Sequence, residues 1–232
     1  IEYSGIKCYP TANYVNYYGM QNGYPINDMT KADAESGYDP THPWKNRDPR
    51  FYKTIMFDGV KWKSTGGAGG TAELFTGGRE SEEANEKKGC FTAYMNSKLC
   101  PQLMNTVDGY KENNIMILSL MRLADVYLMY AEAAANATGS STGKSTNCTL
   151  TALAAVNTIR KRARVEGVNA KYTGSIDLFN SEIRRERAVE LAYEGHRFTD
   201  LRRWLLIDKK PYTEKTAVDF QRVGDLAENP QE

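Results

Sequence analysis

Apolar residues recur at helical spacing in the second half of the chain. From Met121 to Asn136, Ala124, Leu128, Ala131 and Ala135 fall on one stripe at intervals of 4, 3 and 4, which predicts a helix. Its alanines would let a neighbouring helix approach closely. Thr149 stands as a cap before a second helical stretch that runs to about Arg164. Ala152, Val156, Ile159 and Ala163 turn inward there, and Gly167 follows its end. Residues 177–206 hold two shorter patterns that meet at Gly195, where a residue without Cβ suits a helix terminus. Phe198, Leu201, Trp204 and Leu205 make an apolar stripe on the second of these. The three stretches 121–136, 149–165 and 177–206 are expected to pack as antiparallel neighbours.

Residues 1–112 show no such period and read as a loop-rich region, with 113–232 as the helical region of the same domain. Turn signals recur at Asn22-Gly23, Asp39-Pro40, His42-Pro43, Asp48-Pro49 and Gly77-Gly78. Thr11 to Met20 reads as one short helix, and Phe51 to Trp62 as a strand pair turning at Asp58-Gly59. Residues 66–70, GGAGG, are a flexible loop, and Asn114 to Leu120 reads as extended. The residues themselves give helix pairs of tetratricopeptide-like packing beside a large irregular region.

The first pattern after residue 176 carries most of the paired charge. Glu182, Glu186, Glu190 and Glu194 stand four apart and form one column on a helix face. Arg184, Arg185 and Arg187 are close enough to neutralise it, and Asp200 and Arg203 can pair at i,i+3. The bland reading is a solvated charged face. The sharper one is a buried ionic network of Arg187, Glu190, Glu194, Arg197 and Asp200 that fixes how two helices dock. It requires that Arg187 and at least one of Glu190 and Glu194 be buried and paired.

Bulk properties narrow the class. A chain of 232 residues with 41% hydrophobic and 25% charged residues can bury one sizeable core. A formal net charge of +1 gives no general attraction to nucleic acid or anionic lipid. No apolar run approaches the roughly 18 residues of a membrane-spanning helix. The chain opens at Ile1-Glu2-Tyr3 without a signal peptide and is expected to be mature or a fragment. Cys8, Cys90, Cys100 and Cys148 form no C-x-x-C pair, and two histidines do not suffice for a zinc cluster. Cys90 and Cys100 are near enough in sequence for a local bridge.

No catalytic signature emerges. The stretch Gly139 to Ser145 has three residues between its glycines where a phosphate loop needs four, and it follows a helix rather than a strand. No Ser/His/Asp or Cys/His arrangement is visible, and His196 beside Gly195 reads as a helix-end residue. No cofactor or metal is expected. The aromatic residues are the one chemical signal. Between Tyr3 and Trp62 stand eight tyrosines, two tryptophans and two phenylalanines. Sugar rings lie well on such rings, so Trp44, Trp62, Tyr38 and Phe75 in the 30–80 stretch are the ligand-binding candidates. Each can instead pack its loop down.

The order of residues adds a resemblance. I-R-R-E-R-A-V-E-L-A-Y-E-G-H-R-F-T-D-L-R-R-W, from Ile183, closely resembles the signature of the SusD/RagB family. Y-P-T-A-N-Y-V-N-Y-Y-G-M-Q-N-G-Y-P-I (Tyr9–Ile26), R-D-P-R-F (Arg47–Phe51), M-R-L-A-D-V-Y-L-M-Y-A-E-A (Met121–Ala133) and A-L-A-A-V-N-T-I-R-K-R-A (Ala152–Ala163) resemble further family segments in order. The resemblance implies an all-α fold of tetratricopeptide-like helix pairs with a ligand face of loops. It also implies a lipid-anchored nutrient-binding protein on the outer surface of the outer membrane of Bacteroidetes-type bacteria. Its ligand would be a glycan or another oligomeric nutrient, and its partner a SusC-like, TonB-dependent barrel. Family members are longer than this chain, which is therefore expected to be a fragment. The competing readings are a helical-repeat protein that binds peptides or acts as a scaffold, and a hydrolase. The latter needs two converging carboxylates with separated pKa values.

Overall fold

The computed structural model describes residues 2–3, 6–7, 9–61, 70–84, 89–99, 104–105, 109–110 and 119–222. Trp62, Cys8, Cys100, the GGAGG loop up to residue 69 and most of the extended stretch expected at 114–120 lie outside them. The chain forms two compact units, and they do not follow one another in sequence. One gathers residues 1–15, 51–118 and 210–232, the other residues 16–50 and 119–209.

The first unit has short elements. Strands β1 (Glu2–Tyr3) and β2 (Ile6–Lys7) pair antiparallel, and the single-turn helix α1 (Ala12–Val15) follows. The strand pair expected over Phe51–Trp62 does not form. Phe51–Thr54 is a single helical turn, α2, and β3 (Ile55–Met56) pairs instead with β4 (Met95–Asn96). Asp58-Gly59 does turn, with Gly59 at φ 83°, but the returning chain is Ala72, bonded both to Gly59 and to Val60. β5 (Met104–Asn105) and β6 (Gly109–Tyr110) make a third antiparallel pair. Met56, Ala72, Leu74 and Cys90 form one small core cluster of this unit, and Phe51, Ile55 and Phe57 are also buried there. The Cys90 thiol is free and lies 3.1 Å from the Tyr94 carbonyl oxygen, while its considered bridge partner Cys100 lies outside the described residues.

The second unit holds the longer helices. α3 is Leu123–Thr138, α4 Ala152–Arg162, α5 Ile176–Glu190 and α6 His196–Arg203. α3 stops at Gly139, which takes φ 67° and donates its N–H to the Ala135 carbonyl. α4 begins at Thr151, not Thr149: the Thr151 hydroxyl accepts from the Ala154 N–H at 3.1 Å. α5 ends at Leu191, and the turn to α6 passes through Tyr193 (φ 61°) and Gly195 (φ 84°).

α3 packs on α4 and α5 through Leu128, Ala131, Ala135, Ala152, Val156, Ile159, Phe179 and Ile183, all buried. The small residues set the spacing. Ala131→Leu should therefore overpack the seam and cost about 1–3 kcal/mol in a urea melt. Ala133→Leu, on the exposed side of the same helix, should stay within about 0.5 kcal/mol. Equal costs would show that the seam is loose. The stripe expected on α6 is not buried: Phe198 is 61% and Leu205 78% exposed. α6 instead buries Asp200.

Candidate functional site

Residues 16–50 have little regular structure, yet their course is tightly specified. Met20, Ile26 and Tyr38 make a small core of their own. Arg47, which is 0% exposed, gives Nε and Nη2 to the Tyr18 carbonyl (2.9 and 2.7 Å) and Nη1 to that of Pro43 (2.8 Å). A buried guanidinium thus replaces a strand ladder, satisfying carbonyls that would otherwise be desolvated without partners. Asp48 receives both the backbone N–H and the side chain of Arg50. Gly23 sits at φ 85°, and a Cβ there would lie 2.9 Å from the carbonyl oxygens of Glu166 and Gly167. Only glycine lets the loop come this near the turn after α4.

The glutamate column of α5 faces inward and fastens these loops. Arg50 reaches Glu186 and, at 2.9 Å, Glu190. Arg160, 0% exposed, binds Glu186 (3.0 Å) and Glu182 (2.6 Å) from α4. Arg185 joins Glu182 and donates to the Gly23 carbonyl at 3.0 Å. Arg122 and Arg162 also reach Glu190, and Arg122 reaches Glu194. Burial alone would raise the carboxyl of Glu186. The charges of Arg50 and Arg160 outweigh it and hold that group at about 2. Glu182 and Glu190 are likewise lowered against their burial, by Arg185 and Arg122 first among others.

Arg187 is buried but does not pair within the column. Its guanidinium binds Asp125 of α3 and Asp200 of α6, each at 2.8 Å. Glu190 and Glu194 take arginines from outside α5 instead. Arg197 lies 4.8 Å over the ring of Tyr17. Arg50, Arg122, Arg160 and Asp125 went unassigned from sequence alone. Asp125 carried a signal, as an acid set inside the apolar period of α3.

The aromatic candidates separate. Tyr38 is buried, its hydroxyl bonded to the Met29 carbonyl at 3.2 Å, so its ring is closed to stacking. Trp44 is half-buried in the turn between Thr41 and Arg47. Phe75 is half-buried in the other unit with Arg222 4.3 Å over its ring, and Asp58 fixes that arginine. Trp62 lies outside the described residues. Among the described residues no group of His, Cys, Asp and Glu could hold a metal ion.

Beside the network, loop residues 20–22, 36–37 and 46 and the turn at 164–166 enclose a polar recess of about 380 Å³. A wider cleft of about 690 Å³ runs between α3 and α6. Its charged groups are already joined: Glu132 takes Arg203 and the Trp204 indole N–H, while Arg187 takes Asp125 and Asp200.

The architecture is thus one of helix pairs with long loops bolted to them by a buried Arg–Glu column. The SusD family model matches residues 2–229, and the chain belongs to that family. Solved structures agree on the fold. A SusD-like protein from Bacteroides fragilis is 25% identical with a TM-score of 0.60, covering 85% of this chain and 36% of that one. A SusD-like carbohydrate-binding protein from the same organism is 24% identical with a TM-score of 0.58, covering 85% and 35%. A SusD superfamily protein from Bacteroides vulgatus is 22% identical with a TM-score of 0.52, covering 85% and 34%. The chain thus spans about a third of the length of these relatives. A search of curated proteins finds no match.

Proposed function

We propose that the protein is a non-catalytic binder of a glycan or a similar oligomeric nutrient. It acts at the cell surface, lipid-anchored to the outer membrane, and hands its ligand to a SusC-like, TonB-dependent barrel. The observation that carries this reading is the SusD-family match over residues 2–229. The solved neighbours contribute the fold, and the ligand class rests on loop chemistry: a half-buried indole at Trp44 and a polar recess in the same loop segment. Ring faces and fixed polar groups together are what sugar recognition requires.

The carboxylates argue against a hydrolase built on the α5 column. A general acid needs a raised pKa, and Glu182, Glu186 and Glu190 are all lowered. The peptide-binding alternative would use the α3–α6 cleft. Partnered charges there leave fewer groups to engage a peptide backbone.

Calorimetric titration of the purified protein with neutral and acidic oligosaccharides tests the reading, with products assayed in parallel. Saturable binding without turnover is expected. Trp44→Ala should weaken it about tenfold, equivalent to about 1.4 kcal/mol, with the melting temperature unchanged. Turnover abolished by one Asp or Glu substitution, or no binding across the panel, would overturn it.

A further inference from the structure

We propose that the recess at residues 20–22, 36–37, 46 and 164–166 is a subsite for one neutral sugar unit of the ligand. This rests on the glycan-binding reading and locates one contact within it. At about 380 Å³ the recess is at the small end of ligand pockets.

Its walls are fixed before any ligand arrives. The Gln21 N–H donates to the Asn46 carbonyl at 2.8 Å, and the Glu166 N–H to the Gln21 carbonyl at 3.0 Å. Asn22 Nδ2 donates to the Ser36 carbonyl at 2.9 Å. Three segments distant in sequence are therefore tied into one frame, so little ordering is left to oppose binding.

Four of the side chains on that frame are uncommitted. Arg47, Arg160, Arg185 and Glu182 nearby are all engaged. Gln21, Asn46, Arg164 and Glu166 line the recess, and among the described residues none of their side chains takes a hydrogen bond or an ion pair. They offer amide and guanidinium donors beside amide and carboxylate acceptors. A sugar ring presents hydroxyls that each donate and accept, and such a mixed set satisfies both roles. One Arg and one Glu leave the recess without net charge, which favours a neutral sugar over a uronate or an amino sugar.

The backbone points to the same residues. Asn46 (φ 54°) and Arg164 (φ 60°) are both left-handed and both line the recess. Asparagine tolerates that region; arginine does so poorly. Arg164 stands where a helix usually ends in glycine: the Val165 N–H closes on the Arg160 carbonyl at 2.9 Å. Glycine would relieve the strain at that position. Arginine there adds a long donor to the recess, and strain held at a potential site is a mark of function.

The strain makes the test sharp. Arg164→Gly and Asn46→Gly keep the backbone and remove only the polar arm. Melting temperatures should stay level or rise. Binding of maltose, cellobiose and lactose, followed by saturation-transfer NMR and titration, should identify at least one neutral disaccharide, and each variant should weaken it about tenfold or more. Digalacturonate should bind less well than that disaccharide. If the wild type binds none of the four sugars, the glycan reading falls and the subsite with it. Wild-type binding that both glycine variants retain in full overturns the subsite alone. Preference for digalacturonate overturns the neutral assignment. A lowered melting temperature in both variants would overturn the strain argument and give Arg164 and Asn46 a structural role.

Discussion

Arg187→Ala should destabilise the protein by about 3–5 kcal/mol, the range found when one partner is removed from a buried ion pair. The guanidinium lies between Asp125 and Asp200, and all three residues are buried. Its removal strands two carboxylates that must either stay charged without a partner or take up protons. Lys171 and Glu35 form an exposed pair at 2.6 Å, and Lys171→Ala should cost under about 1 kcal/mol. Urea denaturation of both variants at neutral pH measures the contrast. An Arg187→Ala midpoint equal to that of Lys171→Ala would return α5 to the solvated-face reading. The triple variant Arg187→Met, Asp125→Leu, Asp200→Leu should recover much of the loss, because a well-packed apolar trio needs no compensation for desolvated charge. Recovery of stability without recovery of ligand binding would show that the ions are there for helix placement.

The helices were legible in the sequence for a simple reason. A stripe such as Leu128, Ala131 and Ala135 repeats at the period of the helix it makes, and the three residues are buried together. The α6 stripe shows where that reasoning stops. Periodicity says which residues share a face, not what covers it, and Phe198 and Leu205 face outward. Two-residue strands such as β3 and β4 are too short to show alternation, and their partners are set from far along the chain. The glutamate column was visible as a column. Its partners were not, because Arg50 and Arg160 come from 136 and 26 residues away, beyond any i,i+4 rule. The recess left the weakest trace. It is closed by backbone bonds between three separate segments, and of its three left-handed positions only Gly37 carries the glycine that announces such a turn, while the other two carry Asn46 and Arg164.

Acid should unfold the protein through the same column. Glu186 is held at about 2 in the folded state, against about 4.3 in an unfolded chain. A carboxyl whose folded pKa is depressed stabilises fully above its unfolded pKa, and that stability is lost as pH falls toward the folded value. The window is therefore roughly pH 5 to 2, and Glu182 and Glu190, both lowered, add to the loss in the same direction. The Glu186 shift corresponds to about 3 kcal/mol at neutral pH. Asp28 is also held at about 2, mainly by its hydrogen bond from Thr30, but it is solvent-exposed and common to wild type and variant. Glu186→Gln isolates the buried term. The wild-type urea midpoint should be flat from pH 8 to about 5 and fall steeply below. The variant should start lower, with Arg50 and Arg160 each missing a carboxylate, and fall less steeply, so the two curves converge at low pH. Parallel curves would mean that Glu186 does not titrate with unfolding, and the column would then not be what fastens residues 16–50 to the helices.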